Sequence, residues 1–339
     1  MEIFRTGRPE IGRCGFRLAA AAAVLVAALG AAGSASGAEL VGARPHSPIE
    51  MTNGFYVDPE SHPATWARDH ADDSRAPAIA SAIGSKPIAR WFGNWSGDIS
   101  SAVSGFVGAA ANVDQLPVLV AYNIPGRDCG GNSSGGAGSP EAYRAWISTF
   151  AAAIGDLPAV VVIEPDALPQ LDCLPTDGDR QVRTDMINYA TTQFRDKSPN
   201  TWAYLDAGNA GWMSADVMAP RLEAAGLRNV RGFSDNVSNF YTTEQSIGFS
   251  NAVDDQLSSR YGYTTPFVID VGRNGNGANG QWCNPAGRKL GEDSRTGGGA
   301  EMLLWVKVPG DSDGTCGSAP SVPAGQFSPD LATHLINGN

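Results

Sequence analysis

The 339-residue chain has four histidines and five cysteines, and no two cysteines form a Cys-x-x-Cys pair. His46, His62, His70 and His334 also stand far in sequence from Cys129, Cys173, Cys283 and Cys316, so no zinc site is expected. No Gly-x-Gly-x-x-Gly follows a strand-like run. The glycine-dense stretches 130–138, 272–280 and 297–299 lack the Lys-Ser/Thr of a phosphate loop and read as surface loops, so no nucleotide cofactor is expected. Positive charge is also scarce: 24 Lys and Arg face 35 Asp and Glu, a net charge of −11. That balance argues against nucleic acid and anionic membrane as partners and suits a neutral or cationic substrate.

Long apolar runs are missing too, apart from 18–32. That run falls short of the roughly 20 residues a spanning helix needs. Arg5, Arg8, Arg13 and Arg17 precede it and Ser36-Gly37-Ala38 follows it, the pattern of a secretory signal peptide over 1–38. The mature chain, 39–339, is then an extracellular protein with no membrane attachment and a net charge of −13. Cys14 lies in the removed segment. The four remaining cysteines read as two disulfides in an exported chain. Three pairings are open, and the sequential one (129 with 173, 283 with 316) is the simplest. No Pro/Ser/Thr-rich linker or second module follows, so 39–339 reads as one catalytic domain.

Strand-like runs recur at 88–93, 116–125, 159–168, 201–208, 231–237, 266–272 and 302–309. They are rich in Val, Ile, Leu and aromatics and lack strict alternation, as strands covered on both faces do. Helix signals fill the spacers. Ser139-Pro140-Glu141 is an N-cap with Pro in the first turn, followed by Tyr143, Trp146, Ile147, Phe150 and Ile154 at three- and four-residue steps. Val182, Met186, Ala190 and Phe194 repeat the pattern, and 215–225 and 244–261 are further candidates. Seven strands alternating with helices predict an α/β fold, a parallel barrel.

Acids stand where these runs end. Asp128 follows the second run, Asp166 ends Ile163-Glu-Pro-Asp166, and Asp206, Asn239, Arg273, Lys307, Asp311 and Asp313 lie at the C-terminal ends of later ones. In a barrel these positions converge on one face. A lone acid there is usually a helix cap, but five carboxylates with a lysine and an arginine exceed what capping needs. Hydrolysis of an acetal between sugars uses such a set, an acid for the leaving oxygen and a second group for the attacking side. Trp91, Trp212 and Trp282 add flat faces for sugar rings, while Trp146 and Trp305 read as core.

The motifs Tyr122-x-x-x-x-Arg127-Asp128-Cys129, Ile163-Glu-Pro-Asp166-x-Leu168, Leu205-Asp-Ala-Gly-x-Ala-Gly-Trp212, Gln281-Trp-Cys-Asn284 and Trp305-Val-Lys-x-Pro-Gly-Asp-x-Asp313-Gly resemble glycoside hydrolase family 6, a family of cellulases. The resemblance runs from Gly54-Phe-Tyr-Val57 to the C-terminus. It implies a distorted, incomplete α/β barrel of about seven strands that cleaves β-1,4-glucan with inversion. It implies Asp166 as general acid, Asp128 as the acid that raises the pKa of that donor, and Tyr122 as the residue that distorts the reacting sugar. Ser134 matches a serine that holds water in a proton relay, and Asp313 the residue proposed as base. Lys307, Asp311, Asn239 and Asp206 match substrate-binding positions, and Trp91, Trp212 and Trp282 match stacking platforms. The family pairs Cys129 with Cys173 and Cys283 with Cys316.

Three positions depart from the family pattern. Asn209 stands where His is usual, Asp311 where Glu is usual, and Phe240 where Tyr is common. Asp311-Ser-Asp313-Gly314 also resembles a fragment of a calcium loop, but the closing Glu is absent and no metal is expected. The two disulfide spans cover 44 and 33 positions, shorter than in relatives that thread chain ends. An open cleft and internal cutting by a monomer, rather than end-wise action by a cellobiohydrolase or binding without turnover, is the expectation.

Overall fold

A computed structural model describes residues 47–339. Segment 1–38, expected from the sequence to be a signal peptide, lies outside the described residues. Seven strands run parallel and in sequence order: β1 (Arg90–Phe92), β2 (Val118–Ala121), β3 (Ala159–Ile163), β4 (Thr201–Asp206), β5 (Gly232–Asp235), β6 (Phe267–Asp270) and, after a two-residue strand β7 (Arg295–Thr296), β8 (Met302–Leu304). β7 pairs antiparallel with β8 at the sheet's far edge. β1 and β8 do not form a ladder. Their seam is crossed by the Ala89 N–H donating to the Trp305 carbonyl (2.9 Å) and by the Trp91 indole N–H donating to the Val306 carbonyl (2.8 Å). The architecture is therefore the expected distorted, incomplete parallel α/β barrel.

The absence of alternation in the strand sequences has a direct cause: both faces are buried. Val118, Val120, Val160, Val162, Tyr204, Val268, Met302 and Leu304 fill the barrel interior. Leu119, Val161, Leu205, Ile269 and Leu303 point the other way, into the layer shared with the helices. Strands β2 and β3 are in register with Val120 opposite Val162, so the interior valines meet across the ladder.

The helices α1 (His62–Asp69), α2 (Ala76–Ile79), α3 (Ile99–Ala111), α4 (Pro140–Ile154), α5 (Asp177–Lys197), α6 (Ala215–Ala224), α7 (Thr243–Tyr261) and α8 (Pro329–Asn337) follow or flank the strands. α4 begins as its sequence demands, with the Ser139 hydroxyl accepting from the Ala142 N–H. α5 and α7 each start with a reciprocal capping box, Thr176 with Asp179 and Thr242 with Gln245. The stripe read on α5 holds for Met186, Ala190 and Phe194, but Val182 is 42% exposed. The buried face passes through Arg183 instead, because that guanidinium is needed under a loop described below. Trp305 is core; Trp146 is half-buried, packed against the core beside Phe150.

Phe150 on α4 anchors the outer layer, with edge-on or tilted contacts to Phe92, Trp146 and Phe194. Phe150→Ala should cost about 3–5 kcal/mol of stability, read as a lower chemical-denaturation midpoint at unchanged slope. A loss below about 1 kcal/mol would contradict this packing.

Candidate active site

As each strand ends, its loop leaves the ladder and the backbone N–H groups there need new acceptors. Buried carboxylates provide them. Glu164, directly after β3, accepts the N–H groups of Asn123 (2.9 Å) and Ile124 (2.9 Å) from the end of β2. Asp206 at the end of β4 accepts the N–H of Asp166 (2.9 Å) and of Gly208 (3.1 Å). Asp270 at the end of β6 accepts four: Ser238, Gly272, Val306 and Lys307, all within 3.1 Å. These contacts fix loops whose backbone is strained. Glu164, Asp166, Asp128, Cys129, Asn236 and Ser238 all have φ between 48° and 71°, a region costly to residues with a Cβ.

The loop after β2 receives the most support. Arg183 of α5 donates to the Pro125 (3.0 Å) and Gly126 (2.8 Å) carbonyls. Arg127 donates to the Ser133 carbonyl (2.7 Å) and to Asn94 Oδ1 (2.9 Å). At Gly136, with φ of +101°, a Cβ would lie 2.0 Å from the Ile124 carbonyl oxygen, so only glycine lets the loop return this close. Asp128 is thereby held with Oδ2 accepting from the Ser133 N–H (2.7 Å) and Oδ1 facing Gln170 Nε2 (3.4 Å). The Cys129–Cys173 disulfide ties this loop to the one after β3, and Cys283–Cys316 ties the loop after β6 to the one after β8.

Between these loops lies a cleft of about 490 Å³, lined from all seven parallel strands' ends. Trp91, Tyr122, Asp128, Asp166, Trp212, Asn239, Trp282, Lys307 and Asp313 line it, so nine of the sequence-derived candidates come together. Burial, reinforced by the charge of Asp128, pushes the Asp166 carboxyl up to about 7. Asp313 accepts from Arg273 Nη1 at 2.9 and 3.0 Å and from the Asn284 N–H at 3.1 Å, with Lys307 Nζ 3.5 Å away. Trp91 stands edge-on to Tyr122, ring centres 5.2 Å apart. Trp282 and Trp212 are 56% and 40% exposed, so no roof covers them.

The family model for glycosyl hydrolases family 6 matches residues 51–339. The chain belongs to this family. It is 54% identical over 293 residues to Endoglucanase 1 of Streptomyces halstedii, covering 86% of this chain and 91% of that one. It is 31% identical over 269 residues to the 1,4-β-D-glucan cellobiohydrolase CEL6B of Podospora anserina, covering 66% and 64%. The structure superposes with a TM-score of 0.78 on the endoglucanase Cel6 from Mycobacterium tuberculosis, solved with methyl-cellobiosyl-4-deoxy-4-thio-β-D-cellobioside. That match is 37% identical and covers 86% of this chain and 99% of the other.

Three family positions sit outside the cleft wall. Asp206 lies beneath Asp166 with its carboxylate turned to backbone N–H groups, and burial plus the charge of Asp166 hold it well above the usual carboxylate range. Asp311 is buried, and both its oxygens meet His62 Nδ1 (2.9 and 3.0 Å) at the start of α1. Ser134 is exposed, and its neighbour Ser133 lines the cleft instead. Of the departures, Asn209 lines the cleft. Phe240 is buried under the Arg273 guanidinium at 4.4 Å, while the next residue, Tyr241, reaches the cleft. Gln170, Ser238 and Tyr241 are cleft residues that sequence reasoning missed, and Gln281, named in the sequence only as part of a motif, lines the cleft as well. Gln170 lies four residues past Asp166, and its N–H donates to the Asp166 carbonyl (2.9 Å).

Burial pushes Glu164 up from the usual 4.5 to about 7 against the pull of its N–H donors. The fold therefore favours its neutral form. This contribution is complete below 4.5, declines as pH rises and is gone above about 7. Glu164→Gln cannot lose a proton, so its denaturation midpoint should fall less between about pH 5 and about pH 8 than that of the wild type. An equal fall in both would mean that Glu164 takes up no proton on folding.

Proposed function

We propose that the chain is an endo-1,4-β-glucanase that cuts internal bonds of β-1,4-glucan with inversion, Asp166 acting as general acid. The observation that carries this reading is the Asp166 carboxyl, half-buried in the wall of an open, indole-lined cleft and pushed up to about 7 by desolvation and the charge of Asp128. A carboxyl that keeps its proton near neutrality can give it to the leaving glycosidic oxygen. Asp128 remains the charge that maintains that proton and helps order the attacking water. Tyr122, braced by Trp91 and by the Arg127 guanidinium 5.0 Å from its ring, supplies a rigid surface against which the reacting sugar is pushed out of its relaxed chair. Trp91, Trp212 and Trp282 stack on glucose rings, and Lys307, Asn239 and Asn209 supply polar contacts. Asp313 is the candidate base. Its oxygens accept from Arg273 Nη1 and the Asn284 N–H, which orient the carboxylate and leave a lone pair on Oδ1 for the water's proton. Ser134 is the further member of the relay.

The exposure of Trp212 and Trp282 supports internal attack, since a tunnel that threads chain ends would cover its platforms. We further propose that the protein is exported with 1–38 removed, leaving 39–339 as a single catalytic domain that acts as a monomer. Two disulfides fit an oxidising compartment. Among the described residues no helix is long and apolar enough to cross a membrane.

The test measures viscosity and reducing-end release together on soluble carboxymethyl-cellulose. The wild type should thin the solution steeply per bond cut, and Asp166→Asn should lose roughly 10²–10⁴-fold in rate. Reducing ends without viscosity loss would reassign the enzyme to end-wise attack, and near-normal Asp166→Asn turnover would remove Asp166 from the acid role.

A further inference from the structure

Trp95 is an exposed indole outside the cleft wall. It lies on the loop between β1 and α3 and is 54% exposed. Trp212 and Trp282, the other exposed tryptophans among the described residues, both line the cleft. The Trp95 ring is nonetheless firmly held. The Arg127 guanidinium carbon lies 5.0 Å from its centroid and 5.0 Å from that of Tyr122, so one buried cation contacts both rings. Asn94, next to Trp95, accepts from the same guanidinium. Against the ring's other edge lies Gly93, where a Cβ would come within 2.3 Å of an indole carbon and 2.7 Å of the Tyr122 carbonyl oxygen. A bare backbone and a buried guanidinium thus fix in place a ring that is left more than half in water. Packing alone does not require this, because a large aromatic kept for core stability is covered. The contacts are also continuous with the cleft: Trp91 and Tyr122 line it, and Arg127 carries the contact from Tyr122 outward to Trp95.

We propose that Trp95 is an outer sugar platform, stacking on a glucose ring of a β-1,4-glucan chain where the chain leaves the cleft past Trp91 and Tyr122. The inference rests on the glucanase reading above. A neutral ligand with a flat C–H face suits an indole whose cationic contact, Arg127, is already engaged with Ser133 and Asn94. The platform adds binding for long chains, since Trp95 lies outside the cleft that Trp91, Trp212 and Trp282 line.

Calorimetric titration with cellotriose and cellohexaose, in an Asp166→Asn background that leaves them uncut, tests the proposal. Trp95→Ala should weaken cellohexaose binding roughly 3- to 10-fold, as expected for a lost stacking contact of about 0.7–1.4 kcal/mol, and leave cellotriose unchanged. Trp95→Tyr should recover most of the loss. In the otherwise wild-type enzyme, Trp95→Ala should raise KM on the longer substrate without lowering kcat. Equal weakening for both lengths, or a fall in kcat, would make Trp95 a cover for Arg127 and overturn the proposal, as would no change at all. If Asp166→Asn with Trp95 intact binds neither oligosaccharide, the glucanase reading itself fails, an outcome distinct from failure of the platform.

Discussion

Buried carboxylates that accept backbone N–H groups at the strand ends are the contact on which the rest of this structure depends. A parallel barrel satisfies its backbone through the ladder, and at its upper rim that ladder stops. The N–H groups there are buried or part-buried, and an unpaired buried donor costs about 1–3 kcal/mol. Glu164, Asp206 and Asp270 answer this by joining β3 to β2, β4 to β3, and β6 to both β5 and β8. They also hold Asp166, Ser238 and their neighbours in backbone conformations that would otherwise relax. The rim is stiff because its acids face inward to the chain.

The same burial sets the chemistry. Glu164, Asp166, Asp206 and Asp270 are all shifted upward, with burial as the leading cause in each case. Their surroundings then separate their uses. Glu164, Asp206 and Asp270 are surrounded by donors and act as struts. Asp166 contributes its own N–H to Asp206, and its carboxyl faces the cleft and the charge of Asp128. The strut below thus orients the residue whose proton the cleft exposes. Asp313 is partnered differently: the Arg273 guanidinium lies 2.9 Å and the Lys307 ammonium 3.5 Å from its Oδ1, whereas the charge of Asp128 is, after burial, the leading cause that raises Asp166.

Much of this was legible in the chain. The apolar runs marked all seven parallel strands because burial on both faces removes polar positions, although the runs overshot. Pro125 and Leu168 belong to the loops, where a Pro and positive φ end the ladder. The acids after β2 and β3 were visible because a carboxylate beside a core strand is out of place unless used. α3 was missed: its Ala, Gly and Ser dilute the Val103, Phe106, Val107 and Ala110 stripe. α8 lay beyond the last motif, and its apolar face is short. Which acids are struts could not be read, since Asp128, Asp206 and Asp270 look alike in sequence and differ in what lies across the fold. The His62–Asp311 pair, 249 residues apart, is hidden for the same reason, as is the Arg127 contact that holds Trp95.

The central claim is that Asp166 keeps its proton to about 7 because it is buried beside Asp128. Carbon-detected NMR of labelled aspartate carboxyl groups, with Asp166 assigned by its absence in Asp166→Asn, measures this directly. The account predicts a titration midpoint near 7 in the wild type that moves down in Asp128→Asn. A midpoint near the usual 3.8, or one that Asp128→Asn leaves in place, would contradict it.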